Sequence, residues 1–249
     1  LTFPYTHGQS STFTLYAQWL ADINVTYNSQ GGSAISSGTT ASSGSISASP
    51  GSPTRSGYTF AGWFTSSSGG SAISFPYSHG QTSDFTLYAQ WNSTITYDAN
   101  AATSGTVPSP TTATGTSANT TLASNSGSLT RTGYTFAGWN SAADGSGTSY
   151  AAGLTTYTST GNTTLYAQWN STITYNGNGN TGGSVPTATI AKGSAANTTL
   201  ANAGTMTRTG YSFLGWNSAA DASGTDFASG LTTYQSTGNI TLYAIVLSV

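Results

Sequence analysis

GYTFAGW, residues 133–139, decides how this chain reads, because it does not stand alone. An identical copy lies at residues 57–63 and a near copy, GYSFLGW, at 210–216. An arginine precedes each by two positions, at Arg55, Arg131 and Arg208, so the copies are 76 and 77 residues apart. A second phrase follows each copy: TLYAQW at 86–91 and 164–169, TLYAIV at 241–246. Repetition at a constant period marks tandem copies of one supersecondary unit. The chain therefore divides into a partial repeat at 1–19, which opens midway through the unit, and full repeats at 20–91, 92–169 and 170–249.

Within a repeat the pattern is that of strands. Thr, Tyr, Trp, Val and Ile favour extended chain, while Gly, Asn, Ser and Pro punctuate turns. Strands are expected at 23–27, 73–77 and 85–91 in repeat 1, and at 94–97, 116–122, 134–139 and 163–169 in repeat 2. Alternation sends Leu165, Ala167 and Trp169 to one face and Tyr166 and Gln168 to the other. The stretch TLYAQWNSTITY, 164–175, passes from a closing strand to an opening strand across only Asn170 and Ser171. So short a link predicts little independent tumbling and an elongated array of small modules. Residues 1–19 match 73–91 almost throughout, the second half of a repeat without its first. The expectation there is more protein upstream, or strands supplied by another chain. Repeat 3 departs at its end, where Ile245 and Val246 replace Gln and Trp. That apolar segment reads as a cap or as an edge for another subunit.

Composition narrows the function classes. Only 4% of residues are charged and the net charge is −2, against roughly 25% charged in ordinary soluble domains. Such a chain has no footprint for nucleic acid or anionic membrane. There is no Glu and a single Lys, Lys192, while Thr and Ser number 47 and 40. Aromatics at 12%, placed at fixed repeat positions, argue for small packed cores over disorder. Absence of Cys excludes disulfides and thiolate chemistry. No apolar run reaches the length of a membrane span.

The residues that carry chemistry elsewhere do little here. GNGNTG at 177–182 matches a dinucleotide-binding pattern, but SVPT follows instead of a helix and no acid appears until Asp221. A turn is the better reading. Asp144 and Asp221 begin Gly/Ser-rich loops with too few carboxylates for calcium. His7 and His79 occupy equivalent FPYxHGQ slots without further metal ligands. No catalytic residues, metal site or cofactor are expected, and the chain does not read as an enzyme. Arg55, Arg131 and Arg208 suggest guanidinium stacking on a following aromatic. Trp63, Trp139 and Trp216, together with Trp19, Trp91 and Trp169, recur in register. That regularity favours core packing over a sugar-stacking platform.

The pairing of T-R-x-G-Y-x-F-x-G-W with T-L-Y-A-x-W resembles the Listeria–Bacteroides repeat, or internalin B-repeat, over nearly the whole chain. The resemblance implies a mainly β, β-rich α+β fold built of β-grasp-like modules. It also implies extracellular, bacterial cell-surface placement, as a stalk, adhesin or filament segment. Partners expected from the residues themselves are neighbouring repeats, copies of itself, or a surface glycan met by exposed Trp and Tyr. Relatives carry charge freely and this chain does not, which argues against recognition through charge.

Overall fold

Every regular element among the described residues is a strand, which follows from side chains that crowd a helix and suit a pleat. The computed structural model describes residues 11–12, 14, 16–115, 119–193 and 197–249. The chain divides into two compact units, Leu1–Arg55 with Phe60–Gln90 and Ser56–Thr59 with Trp91–Val249.

The first unit is built on β1 (Asp22–Asn28), whose burial alternates residue by residue. It pairs antiparallel with β2 (Gly38–Ala41) and parallel with the start of β6 (Phe85–Asp98), with Val25 opposite Phe85. β3 (Ser45–Ile46) and β5 (Tyr77–Ser78) form a separate short pair, and β4 (Thr59–Phe64) carries the first GYTFAGW phrase to β6. The strand expected at 73–77 is thus confined to its last residue and the one after it. Pro76, with no N–H to give, cannot continue a ladder.

The second unit contains the same plan twice. In repeat 2, β6 pairs antiparallel with β7 (Thr111–Thr114), and β9 (Thr135–Asn140) runs antiparallel to β12 (Thr163–Asn176). β8 (Asn119–Thr120) pairs with β11 (Tyr157–Thr158), and β10 (Ser149–Tyr150) flanks β9. Repeat 3 repeats this with β13 (Thr189–Lys192), β14 (Asn197–Thr198), β15 (Tyr211–Asn217), β16 (Asp226–Ala228), β17 (Tyr234–Gln235) and β18 (Ile240–Ser248). In each repeat the first and last strands lie side by side and parallel, as Ile95 opposite Thr163 and Ile173 opposite Ile240 show.

A parallel pair needs a long crossover, and here loops and two-residue strands supply it. The mainly β tandem class holds. The helical share that a β-grasp-like module implies is missing among the described residues. Between β7 and β9 the chain is Ser-, Thr-, Asn- and Gly-rich, which favours turns over a helix. Of the strand expected at 116–122, residues 116–118 lie outside the described set and only Asn119–Thr120 is extended.

The most consequential element is β12. Fourteen residues run from the closing phrase of repeat 2 into the opening phrase of repeat 3 without interruption. Leu165, Ala167, Trp169, Ser171, Ile173 and Tyr175 are all buried on one face. Leu165, Ala167 and Trp169 belong to the core of repeat 2, whereas Ile173 and Tyr175 belong to that of repeat 3. One strand face therefore serves two cores.

Candidate functional site

The tryptophan of the recurring phrase is the centre of each repeat. Trp63, Trp139 and Trp216 are buried, and each indole Nε1 donates to a carbonyl: Gly51 at 2.9 Å, Ala123 at 2.8 Å and Ala201 at 2.7 Å. Tyr97 and Phe136 meet Trp139 at ring separations of 4.7 and 5.3 Å, within the range where aromatic pairs attract beyond simple burial. The glycine before this tryptophan is required by space. Gly138 has φ +119°, and a Cβ there would lie 2.6 Å from the Tyr150 carbonyl of the flanking strand.

Trp91 and Trp169 close their repeats and are also buried, while Trp19 is 91% exposed. The five buried rings present no face to a sugar, so the Trp-stacking platform fails at those positions. Packing against Phe136 at 5.6 Å and donation from Nε1 to the Asn100 carbonyl at 2.9 Å account for Trp169.

Arg131 and Arg208 lie over the rings of Tyr134 and Tyr211, at 4.3 and 4.4 Å. Arg55 and Arg208 each also donate from Nη1 to a turn carbonyl, that of Gln30 at 3.1 Å and Asn178 at 2.9 Å. The carboxylates of Asp144 and Asp221 are engaged by Ser146 and Ser223 in their own loops. Those hydroxyl donors, followed by the Ser backbone N–H groups, hold both carboxyls below the ordinary range. No group of three potential metal ligands exists among the described residues. The segment 177–182 is a turn in which Asn180 N donates to the Gly177 carbonyl at 3.1 Å, with no helix following. His79 is buried, its Nδ1 accepting from Gln81 N at 3.0 Å and its Nε2 3.2 Å from the Thr40 hydroxyl. His7 lies outside the described residues.

Two sets of residues emerge that the sequence reading passed over. Asn140 and Asn217 are buried, and each organises the loop that follows. Asn140 Oδ1 accepts from Ala142 N, and its Nδ2 reaches Ser149 Oγ at 2.9 Å. The second set holds repeat 3 against repeat 2. Asn239 N donates to the Gly133 carbonyl of repeat 2 at 2.6 Å, and within repeat 3 Asn239 Oδ1 accepts from Thr172 N at 2.7 Å. Tyr134 OH donates to the Ser236 carbonyl, and Ser171 Oγ to the buried Ser236 hydroxyl. The same arrangement binds Asn162 to the Gly57 carbonyl and to Thr94 N, at 2.6 and 2.8 Å. The verbatim recurrence of STGN at 159–162 and 236–239 is the signal that could have found it.

These contacts define a tandem unit joined by a shared strand and a conserved-in-kind asparagine bridge. The family described as the Listeria-Bacteroides repeat domain matches residues 24–90, 94–168 and 172–245. The chain belongs to this family. Listeria-Bacteroides repeats are structural repeats, and the copy boundaries between the matched segments fall inside β6 and β12. Two relatives come from Evansella cellulosilytica. One, named "Putative Gly-rich membrane protein", is 36% identical over 61% of this chain and 18% of its own length. Another, named "Putative membrane protein", is 36% identical over 64% of this chain and 24% of its own length. This repeat chain thus spans a quarter or less of the length of these relatives. No helix among the described residues is long and apolar enough to cross a membrane.

Proposed function

We propose that the chain is a non-catalytic spacer segment of a bacterial surface protein, part of a stalk or fibre that carries other regions of its parent away from the envelope. The observation that carries this reading is β12, one strand whose buried face serves the cores of repeats 2 and 3. A joint of that kind leaves no hinge between neighbours, and the Asn239 bridge adds a second tie. The near-neutral surface of hydroxyls and amides supports the same role, since it gives charged partners nothing to hold. Membership of a repeat family and likeness to much longer proteins named as membrane proteins support the reading of a segment that stands beside an anchored region.

Repeat number and exposure test it together. Intact cells expressing the parent are labelled with antibody to an epitope beyond these repeats, in versions carrying one, three or six copies. Labelling that rises with copy number, and is lost on external protease treatment, is the expected result. Labelling that appears only after lysis, or that ignores copy number, overturns the spacer reading.

A further inference from the structure

Repeat 3 lacks one ring that repeat 2 possesses. Where Trp169 is 2% exposed at the end of the closing phrase, repeat 3 has Val246, only partly buried. Trp169 shows what this slot accepts: an indole whose N–H donates to the Asn100 carbonyl, meeting Phe136 edge-on. The walls of the slot persist in repeat 3. Phe213 stands for Phe136, and Arg208 over Tyr211 repeats Arg131 over Tyr134. The space left by the ring is a cavity of about 140 Å³, lined among others by Asn180, Met206, Arg208, Phe213 and Val246.

We propose that this cavity is a binding site for a small planar aromatic molecule of indole size. A cavity of roughly 150 Å³ in a protein interior is enough to hold a benzene ring. Phe213 offers the ring contact seen with Trp169, and the Arg208 guanidinium offers a cation to a π face. The Asn178 carbonyl accepts one hydrogen bond, from Arg208 Nη1. In repeat 2 the equivalent carbonyl, that of Asn100, is the one that takes the Trp169 N–H, and a carbonyl oxygen has a second lone pair. The inference is independent of the spacer reading, since a spacer can be empty or loaded.

Met206 makes the test direct, because it is the single methionine of the chain and lines the cavity. The full chain carrying methyl-¹³C methionine is titrated with indole, in parallel with calorimetry. A Met206 methyl resonance that shifts and saturates, with one indole bound per chain, is the expected outcome. Val246→Trp, which supplies the ring covalently, should weaken indole binding at least tenfold. An unmoved Met206 resonance up to the solubility of indole overturns the proposal without any variant. Undiminished binding in a Val246→Trp chain whose circular dichroism matches the parent overturns it as well.

Discussion

At the scale of single residues, stability rests on a few buried rings and the hydrogen bonds they make. Trp139 is fully buried and bonded through Nε1 to Ala123, so Trp139→Ala removes both its packing and a hydrogen bond. A loss of about 3–5 kcal/mol is expected in denaturant titration. Titration behaviour is set by groups of two kinds. Asp144 and Asp221 have their carboxyls held down by Ser146 and Ser223. Their contribution is complete above the ordinary carboxyl range and disappears as pH falls through the lowered folded values. Burial first, and neighbouring tyrosines second, raise Tyr157 above its ordinary 10.0. Burial likewise raises Tyr234, partly offset by a hydrogen bond with Ser236. The contribution of both is complete below pH 10 and is lost as pH rises beyond it. Thermal melts should therefore fall below about pH 4 and above about pH 10. A midpoint unchanged in both ranges would contradict this.

Between elements, acceptors of one kind at equivalent positions tie the opening strand of each repeat to the residue just before its closing strand. Asn239 Oδ1 holds Thr172 N and Asn162 Oδ1 holds Thr94 N, while in repeat 1 Asp84 Oδ1 takes Asn24 N at 2.7 Å. The slot thus needs an oxygen and accepts a carboxylate as well as an amide. Asn239→Ala should cost about 0.5–1.5 kcal/mol, and Asn239→Asp markedly less. Equilibrium denaturation of the two variants checks the order. Sequence made the strands of the recurring phrases legible, because Leu165, Ala167 and Trp169 alternate with polar neighbours in period two. It made the cores legible too, since a tryptophan in a constant slot has little else to do. The junction was missed although STGN recurs at 159–162 and 236–239, because Asn162 and Asn239 act largely through backbone partners that the recurrence alone does not name. Asn140 and Asn217 escaped for the same reason, and repeat 1 carries Phe64 in their place.

Across the whole molecule, the scarcity of charge becomes a physical property. With 4% of residues charged and a net charge of −2, little of the stability is electrostatic and screening has little to act on. The melting temperature should change by no more than about 2 °C between roughly 0.01 and 1 M sodium chloride. A larger shift would mean that ion pairs matter more than the hydrogen-bonded polar surface described above. The shared strand imposes a rule of parity on how such chains can lengthen. Side chains of a strand alternate in a period of two, so one residue inserted between Trp169 and Asn170 turns Ser171, Ile173 and Tyr175 outward while Leu165, Ala167 and Trp169 stay inward. Two inserted residues restore the phase. Copies can be gained or lost in this gene only where the cut respects odd and even, and a library of insertions at this point should sort its folded members by that count alone.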